Sequence, residues 1–286
     1  MQYAVLTAFL YALTVVTAPL AYQLEASVVF VLAVRFACNV GLSTILGGGI
    51  TRRGLPSQTD AILVVVASLA LLGQTYGLMS AVKMLPVSIA ITVFFTFPVI
   101  SYLIEMIRKR ARPNIYTLAV FGMAVTGVWF LSNPEAEQWN SAGMAWALIA
   151  AALQATLNVV AERVRHVRGW QMVQFTSILP MVVYGVWVFH QGVTPPLGAF
   201  GWSIVSATCF ATGLFLYYRA VLNYGPVRTA NILYLEPVFV ILLSLGIFGD
   251  TLSLQQWLGV LMVATSTAIV EIQEFRRLRR TQLKYG

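Results

Sequence analysis

Ten apolar segments, each about as long as a helix that crosses a bilayer, occupy nearly all of this 286-residue chain. A span needs roughly 20 mostly apolar residues in a helix, because lipid offers no partners to unpaired backbone N–H and C=O groups. The pattern predicts an all-α membrane protein with ten transmembrane helices. The predicted spans are Gln2–Leu20, Ser27–Ile45, Ala61–Val82, Pro86–Ile107, Ile115–Leu131, Ser141–Ala161, Gln171–Phe189, Ala199–Tyr218, Val227–Phe248 and Leu254–Val270.

Charged residues make up 10% of the chain and lie almost entirely in the short gaps between these segments. Soluble domains contain about 25% charged residues, so this composition excludes most soluble functions. Little chain is left over for an extramembrane domain. We therefore expect a multi-pass protein of the cell inner membrane, in contact with the lipid bilayer along most of its length.

The net charge of +8 is unevenly distributed and carries information on topology. If the amino terminus lies inside the cell and the spans alternate, 16 of the 18 lysines and arginines lie on the inner side, in the inner gaps, in the tail or, for Arg228, at the inner end of span 9. Lys83 falls outside, and Arg35 lies within a span. The positive-inside rule then predicts that both termini are cytoplasmic. Because topology accounts for the basic excess, we expect no nucleic-acid partner.

The two halves of the chain carry a similar pattern of prolines. In each half a short loop with a proline, Pro86 or Pro226, opens a span, and a second proline follows about three turns later. These second prolines are Pro98 in span 4 and Pro237 in span 9. A proline inside a helix removes one backbone hydrogen bond and opens a kink, so we expect a helix break at both places. The alternative is that these prolines only shape helix packing.

This duplication predicts two repeats of five helices each, at residues 1–134 and 135–272, followed by a basic cytoplasmic tail at residues 273–286. Five is an odd number, so the second repeat is inverted relative to the first. Inverted repeats are a mark of secondary transporters, which bind substrate near the midplane between the halves.

The chain resembles the drug/metabolite transporter superfamily, and within it the EamA-type exporters. The resemblance rests on the five-plus-five spans, on Val34–Phe36, and on a second-half stretch that includes Tyr224–Pro226, Leu235–Pro237, Phe248–Leu252 and Gln256–Gly259. It implies two EamA-like repeats around a central cavity lined chiefly by spans 3, 4, 8 and 9. It also implies the export of amino acids or similar small metabolites, by secondary active transport coupled to an ion gradient or by facilitated diffusion.

Two ionisable residues within the spans are candidates for a role in transport. Glu236, directly before Pro237, is the candidate coupling residue, with protons as the candidate coupling ion. A carboxyl near mid-membrane is costly and usually faces a cavity, although it can also join helices through a hydrogen bond. Arg35 is a candidate clamp for a substrate carboxylate. It can equally extend towards the outer surface or pair with Glu25.

Polar and aromatic side chains within the spans suggest a cavity for a small amphipathic solute, although each of them can instead join helices. Gln74 and Tyr76 lie between Gly73 and Gly77, whose spacing permits close helix approach. Gln154 and Asn158 lie four residues apart, on one face of span 6. The candidate substrate-binding residues are Arg35, Gln74, Tyr76, Thr92, Phe95, Thr96, Gln154, Asn158, Thr208, Tyr217, Asn231 and Tyr234.

The sequence contains no catalytic, metal-binding or nucleotide-binding motif that would suggest an enzyme. We expect no cofactor and no metal site. Two alternatives stay open: an exchanger of sugar phosphates or nucleotide sugars, and a polytopic membrane scaffold without transport. The exchanger would require several cations in the cavity, whereas the spans offer Arg35 with Lys83 at the outer boundary. We expect a monomer or a homodimer.

Overall fold

The computed structural model describes residues 2–47, 58–108, 115–131, 140–161, 163–164, 169–192, 195–224, 235–249 and 252–285. Within these ranges the regular structure is helical throughout, which confirms the predicted all-α class. The helices are α1 (Gln2–Gln23), α2 (Val28–Gly47), α3 (Gln58–Met84), α4 (Val87–Phe94), α5 (Phe97–Arg108), α6 (Ile115–Leu131), α7 (Ser141–Ala161), α8 (Gly169–Gln191), α9 (Leu197–Tyr224), α10 (Glu236–Phe248) and α11 (Leu254–Tyr285).

Seven helical segments are long and apolar enough to cross a membrane, judged by length and composition within the described ranges. They are α1, α2, α3, α4 together with α5, α7, α8 and α9. Of the other predicted spans, α6 has 17 residues and α10 has 13. α11 has 32 residues, because the predicted basic tail continues the helix of the last span. The full set of ten spans therefore stays a prediction.

Helices α1 and α9, which belong to different halves of the chain, pack side by side in opposite directions. At one end of the pair formed by α1 and α9, Gly198 lies against Leu24, and near the middle of both helices Gly213 lies against Leu10 and Tyr11. α1 is predicted span 1 and α9 is predicted span 8. Alternating crossings direct an odd and an even span oppositely, so this pair agrees with the predicted order of crossings.

Pairs of helices that correspond to two even or two odd spans run in the same direction. α2 and α9, predicted spans 2 and 8, contact each other through Phe30 and Phe200, and further along both helices through Arg35 and Ser206. α3 and α8, predicted spans 3 and 7, are likewise parallel. The observed directions of these pairs therefore agree with the alternating order predicted for the spans.

The interface between α3 and α7 depends on glycines. A Cβ atom at Gly73 would lie 2.7 Å from a methyl group of Leu153, and one at Gly77 would lie 3.1 Å from the carbonyl oxygen of Trp146. Both separations are shorter than ordinary van der Waals contacts. The glycines predicted to permit close helix approach therefore lie where α7 packs against α3.

The apolar core lies in one half of the bundle. We call this the outer half; it contains the end of α1, the start of α2, the end of α3, all of α4 and the start of α7. Its large buried side chains include Leu32, Met79, Ile91 and Tyr184. In the opposite half, most of the described buried residues are small or polar. The large buried apolar side chains therefore lie mainly on the side predicted to face outward.

Candidate functional site

Arg35 lies at the centre of the packed helices and is 3% exposed. Its Nη2 donates to two acceptors among the described residues. These are Ser206 Oγ at 3.1 Å and Met79 Sδ at 3.5 Å. Its guanidinium carbon lies 5.3 Å from the ring centre of Phe210, within the range of a cation–π contact. Glu25, the sequence-predicted alternative partner, is exposed, whereas the partners of Arg35 given above are Ser206, Met79 and Phe210.

The Ser206 hydroxyl connects the arginine to a further helix. Ser206 Oγ accepts from Arg35 and donates to the carbonyl oxygen of Thr14 at 2.8 Å. Thr14 lies on α1, Arg35 on α2 and Ser206 on α9. With Met79 on α3, the guanidinium thus joins four helices that come from both halves of the chain. A movement of any of these helices would change its contacts.

A second polar group lies beside this centre. Tyr184 of α8 is fully buried and donates its hydroxyl to the carbonyl oxygen of Leu72, on α3. The same hydroxyl lies 3.2 Å from Thr75 Oγ1. The ring stacks on Phe36, with 5.8 Å between ring centres. Tyr184 therefore combines an apolar contact to α2 with hydrogen bonds to α3.

Predicted span 4 is divided into two helices next to Pro98. α4 ends at Phe94 and α5 begins at Phe97, with Phe95 and Thr96 forming the turn between them. Proline has no N–H, so the helix loses the donor that would bond to the carbonyl of Phe94. Thr96 Oγ1 donates to the carbonyl oxygen of Val93 at 2.8 Å, which pairs the hydroxyl within the turn.

The other predicted residues of span 4 are buried in or beside this turn. Thr92 is 4% exposed and donates to the carbonyl oxygen of Ser88 at 2.6 Å. The Phe95 ring is 7% exposed and lies against the rings of Phe94 and Phe97. Thr92, Phe95 and Thr96 are therefore in the core, with both hydroxyl groups bonded to backbone carbonyls of their own segment.

Glu236 is the first residue of α10, and Pro237 follows it in the first turn. The side chain of Glu236 is half-buried. The first turn of a helix has unpaired backbone N–H groups and the positive end of the helix dipole, which interact favourably with a carboxylate. Asn231 and Tyr234, predicted as cavity residues, lie outside the described residues.

The structure distributes the remaining predicted residues over several places. Gln74 is buried on α3, and Tyr76 forms an aromatic cluster with Trp146 and Trp187. Gln154 donates to Asn158 at 2.9 Å within α7, so the two side chains pair along one face of their own helix.

Two predicted residues lie on α9. Thr208 is exposed on the same face as Ile204 and Val205. The structure therefore does not bring Thr208 together with the residues around Arg35. Tyr217 is half-buried further along the helix.

A polar seam between α2 and α8 was missed by the sequence analysis. Asn39 Nδ2 donates to Ser177 Oγ at 2.7 Å, and Gln174 Nε2 donates to Thr44 Oγ1 at 2.8 Å. An asparagine and a glutamine inside apolar spans 2 and 7 are a signal that was available. The sequence does not show that they belong to one interface, because their partners are more than 100 residues away.

The part of the chain that the structure describes contains no group of three or more histidine, cysteine, aspartate or glutamate residues that could hold a metal ion. Cys38 and Cys209 are free and half-buried on α2 and α9. The polar groups at the centre of the bundle are thus hydroxyl, amide, phenol and guanidinium groups. Groups of these kinds are able to form hydrogen bonds and charge interactions with the polar part of a solute.

Comparisons with known proteins agree with this architecture. The model of the EamA-like transporter family matches residues 1–133 and again residues 141–272. A solved crystal structure with 18% identity matches over 97% of this chain and 99% of that chain, with a TM-score of 0.61. At this identity the likeness concerns the fold alone.

Two curated relatives are 26% identical to the chain. One is the uncharacterized inner membrane transporter YicL of Salmonella typhimurium, matched over 60% of this chain and 59% of its own length. The other is the uncharacterized transporter sll1319 of Synechocystis sp., matched over 68% of this chain and 61% of its own length. The chain thus spans about three fifths of the length of the curated relatives it matches.

Proposed function

Because this chain belongs to the EamA-like transporter family, we propose that it moves amino acids or similar small metabolites across the inner membrane, outward, by secondary active or facilitated transport. The observation that carries this proposal is the polar centre formed by Arg35, Ser206 and Thr14, to which both halves of the bundle contribute. Buried polar groups inside a membrane bundle are costly and mark substrate pathways. The inner-membrane location is supported by the name of the Salmonella relative.

The proposed architecture is a pair of inverted repeats with the boundaries 1–134 and 135–272. Two separate family matches, at 1–133 and 141–272, support it. The packing supports it too. Span 1 (α1) corresponds to span 6 (α7), and span 8 (α9) corresponds to span 3 (α3), so the α1–α9 interface corresponds to the α7–α3 interface. Gly213 of α9 and Gly73 of α3 lie in counterpart spans, and each lies at the close approach in its own interface. An experimental structure in lipid with spans 4 and 9 at the periphery would contradict the repeat.

The proposed orientation places both termini in the cytoplasm. The 16 basic residues of the inner side support it. The test is single-cysteine labelling in intact cells with a membrane-impermeant reagent, after Cys38 and Cys209 are replaced by serine. We expect a cysteine at position 137 to be labelled and a cysteine at position 110 to be protected. Labelling at 110 without labelling at 137 would reverse the orientation.

Transport itself is tested by uptake into proteoliposomes of the purified full-length protein. The panel contains amino acids and their decarboxylated amines, with one sugar phosphate to represent the exchanger alternative. The described residues have one buried cation, Arg35, which favours a solute with one anionic group over a phosphorylated one. We expect uptake of at least one amino acid. Transport of the sugar phosphate alone would favour the exchanger, and no transport of any panel member would count against the proposal.

Proton coupling through Glu236 is tested by two substitutions. Gln resembles a protonated carboxyl but releases no proton, so Glu236→Gln should abolish accumulation driven by a pH gradient and leave counterflow intact. If Glu236 only joins helices, the Gln variant should behave like the wild type, and Glu236→Leu should lower stability by roughly 0.6–2 kcal/mol. The exposed Glu25→Gln is the control for the loss of one negative charge.

A further inference from the structure

Two buried polar atoms, one on α1 and one on α2, have no hydrogen-bond partner among the described residues. They are Nε of Arg35 and the hydroxyl oxygen of Tyr22. The two side chains lie within electrostatic range of each other. A buried N–H or O–H group without a partner costs free energy, and nearly all such groups in folded proteins are paired. Two unpaired donors close together therefore suggest that an acceptor occupies this place during the working cycle.

The positive charge of Arg35 also has no negatively charged partner in the described part of the chain. Its present partners there are a hydroxyl group, a thioether and an aromatic ring, none of which is negatively charged. A thioether sulfur is a weak acceptor. Buried charges are normally paired with an opposite charge. The missing partner is thus an anion as well as a hydrogen-bond acceptor.

We propose that Arg35 and Tyr22 bind the carboxylate of the transported solute, which rests on the transport function proposed above. The guanidinium is planar, and adjacent N–H groups match the two oxygens of a carboxylate. The Nε–H is unpaired, and Met79 Sδ is an acceptor that a carboxylate oxygen readily replaces. The Tyr22 hydroxyl supplies a further donor. One guanidinium and one phenol fit a single carboxylate, and hence a solute such as an amino acid.

The location of these groups explains how binding is connected to movement. Arg35 is 3% exposed, so a solute reaches it only when the covering helices separate. Through Ser206 the guanidinium also bonds indirectly to the Thr14 carbonyl on α1. A carboxylate that draws Arg35 away from Ser206 would weaken the contact between α2, α9 and α1. The site is therefore a specificity-determining element whose occupation alters the interface between the two halves.

The experiment compares an amino acid with its decarboxylated amine, each competing for uptake of the labelled amino acid into proteoliposomes. The variants are Tyr22→Phe, Arg35→Lys and Arg35→Gln, with Tyr184→Phe as the matched control. Tyr184 is a second buried tyrosine near Arg35, but its hydroxyl already has partners. A hydrogen bond to a charged group contributes about 1.5–3 kcal/mol, so the preference for acid over amine should fall about tenfold in Tyr22→Phe and up to about a hundredfold in Arg35→Gln.

Arg35→Lys keeps the charge and should retain part of the preference. Tyr184→Phe should lower the uptake of acid and amine to a similar extent, because its role is structural. An unchanged preference in Tyr22→Phe and Arg35→Lys proteins that fold and transport would overturn the proposal. Equal transport of acid and amine by the wild type would also overturn it.

A binding measurement separates this inference from the transport function. In detergent, the amino acid should raise the unfolding temperature of the wild type and not that of Arg35→Gln, whether or not uptake is detected. Stabilisation of the wild type by sodium chloride equal to that by the amino acid would identify an inorganic anion site instead. If the amino acid stabilises the protein but no solute is taken up, the proposed function fails and the site stands.

Discussion

Gly127 on α6 is a position at which a single added methyl group should disturb the packing of two helices. A Cβ atom there would lie 2.9 Å from Val263 Cγ2, 3.0 Å from the carbonyl oxygen of Gly259 and 3.0 Å from Met262 Cβ, all on α11. A backbone oxygen and a Cβ atom cannot rotate away, and the valine has one strongly preferred rotamer in a helix. The two helices must therefore move apart to accommodate Gly127→Ala.

The cost can be separated from helix propensity by a control on the same helix. Gly122 has no atom within 4 Å of the position of an added Cβ. Alanine is favoured over glycine inside a helix by about 0.8–1 kcal/mol, and both substitutions gain this amount. Overpacking costs about 1–3 kcal/mol and applies to Gly127→Ala alone. The difference in stability between the two variants should therefore be about 1–3 kcal/mol.

The measurement is reversible unfolding of both purified variants and the wild type in the same mixed micelles. We expect Gly122→Ala to be at least as stable as the wild type and Gly127→Ala to be the least stable of the three. The substitution should also reduce contact between α6 and α11, which shows as faster proteolysis at the end of α11. If Gly127→Ala is as stable as Gly122→Ala, the packing of α6 against α11 described here is wrong.

Three further predictions concern hydrogen bonds and backbone conformation. Tyr184→Phe keeps the stacking on Phe36 but loses the hydroxyl bonds, so unfolding should show a loss of roughly 0.6–1.7 kcal/mol; a neutral result would mean that these bonds add nothing to stability. In a double-mutant cycle, Asn39→Ala and Ser177→Ala should show a coupling energy of about 0.6 kcal/mol, and additive effects would contradict their bond. Glu25 has a φ of 65°, a backbone conformation that is strained for a residue with a Cβ atom, so Glu25→Gly should raise stability by about 1 kcal/mol in the same assay. A loss of stability would show that the contacts of the Glu25 side chain outweigh this backbone strain.

The helix break in span 4 shows what a local signal can predict. Pro98 lacks an N–H group, and this chemical fact is independent of where the helix lies in the fold. The structure ends α4 at Phe94 and begins α5 at Phe97, beside that proline. The corresponding Pro237 lies in the first turn of α10. Apolar length is a similarly local property, so the segments that cross the membrane were largely readable from the sequence.

The direction in which a side chain points was not readable, as α9 shows. Ser206 and Thr208 are both small hydroxyl residues in one apolar helix, two positions apart, and they therefore point to different sides. Ser206 is buried and bonds to Arg35, whereas Thr208 is exposed beside Ile204. In a soluble protein a polar face would reveal the orientation of the helix. Here apolar residues occur on both the lipid-facing and the buried side, so the sequence contains no such reference.

Whether a buried polar group has a hydrogen-bond partner depends on all of its neighbours in the folded structure, so it cannot be read from a local sequence signal. The sequence showed Arg35 inside a span but left open whether the charge is paired, extended to the surface or reserved for a ligand. Burial excludes the second of these, and the neutral partners Ser206 and Met79 do not satisfy the first. Tyr22 gave no signal in the sequence, since a tyrosine near a helix end is ordinary in a membrane protein. Its buried hydroxyl has no partner among the described residues and lies within electrostatic range of Arg35, whose Nε is likewise unpaired there; this is what turns one candidate residue into a proposed binding site.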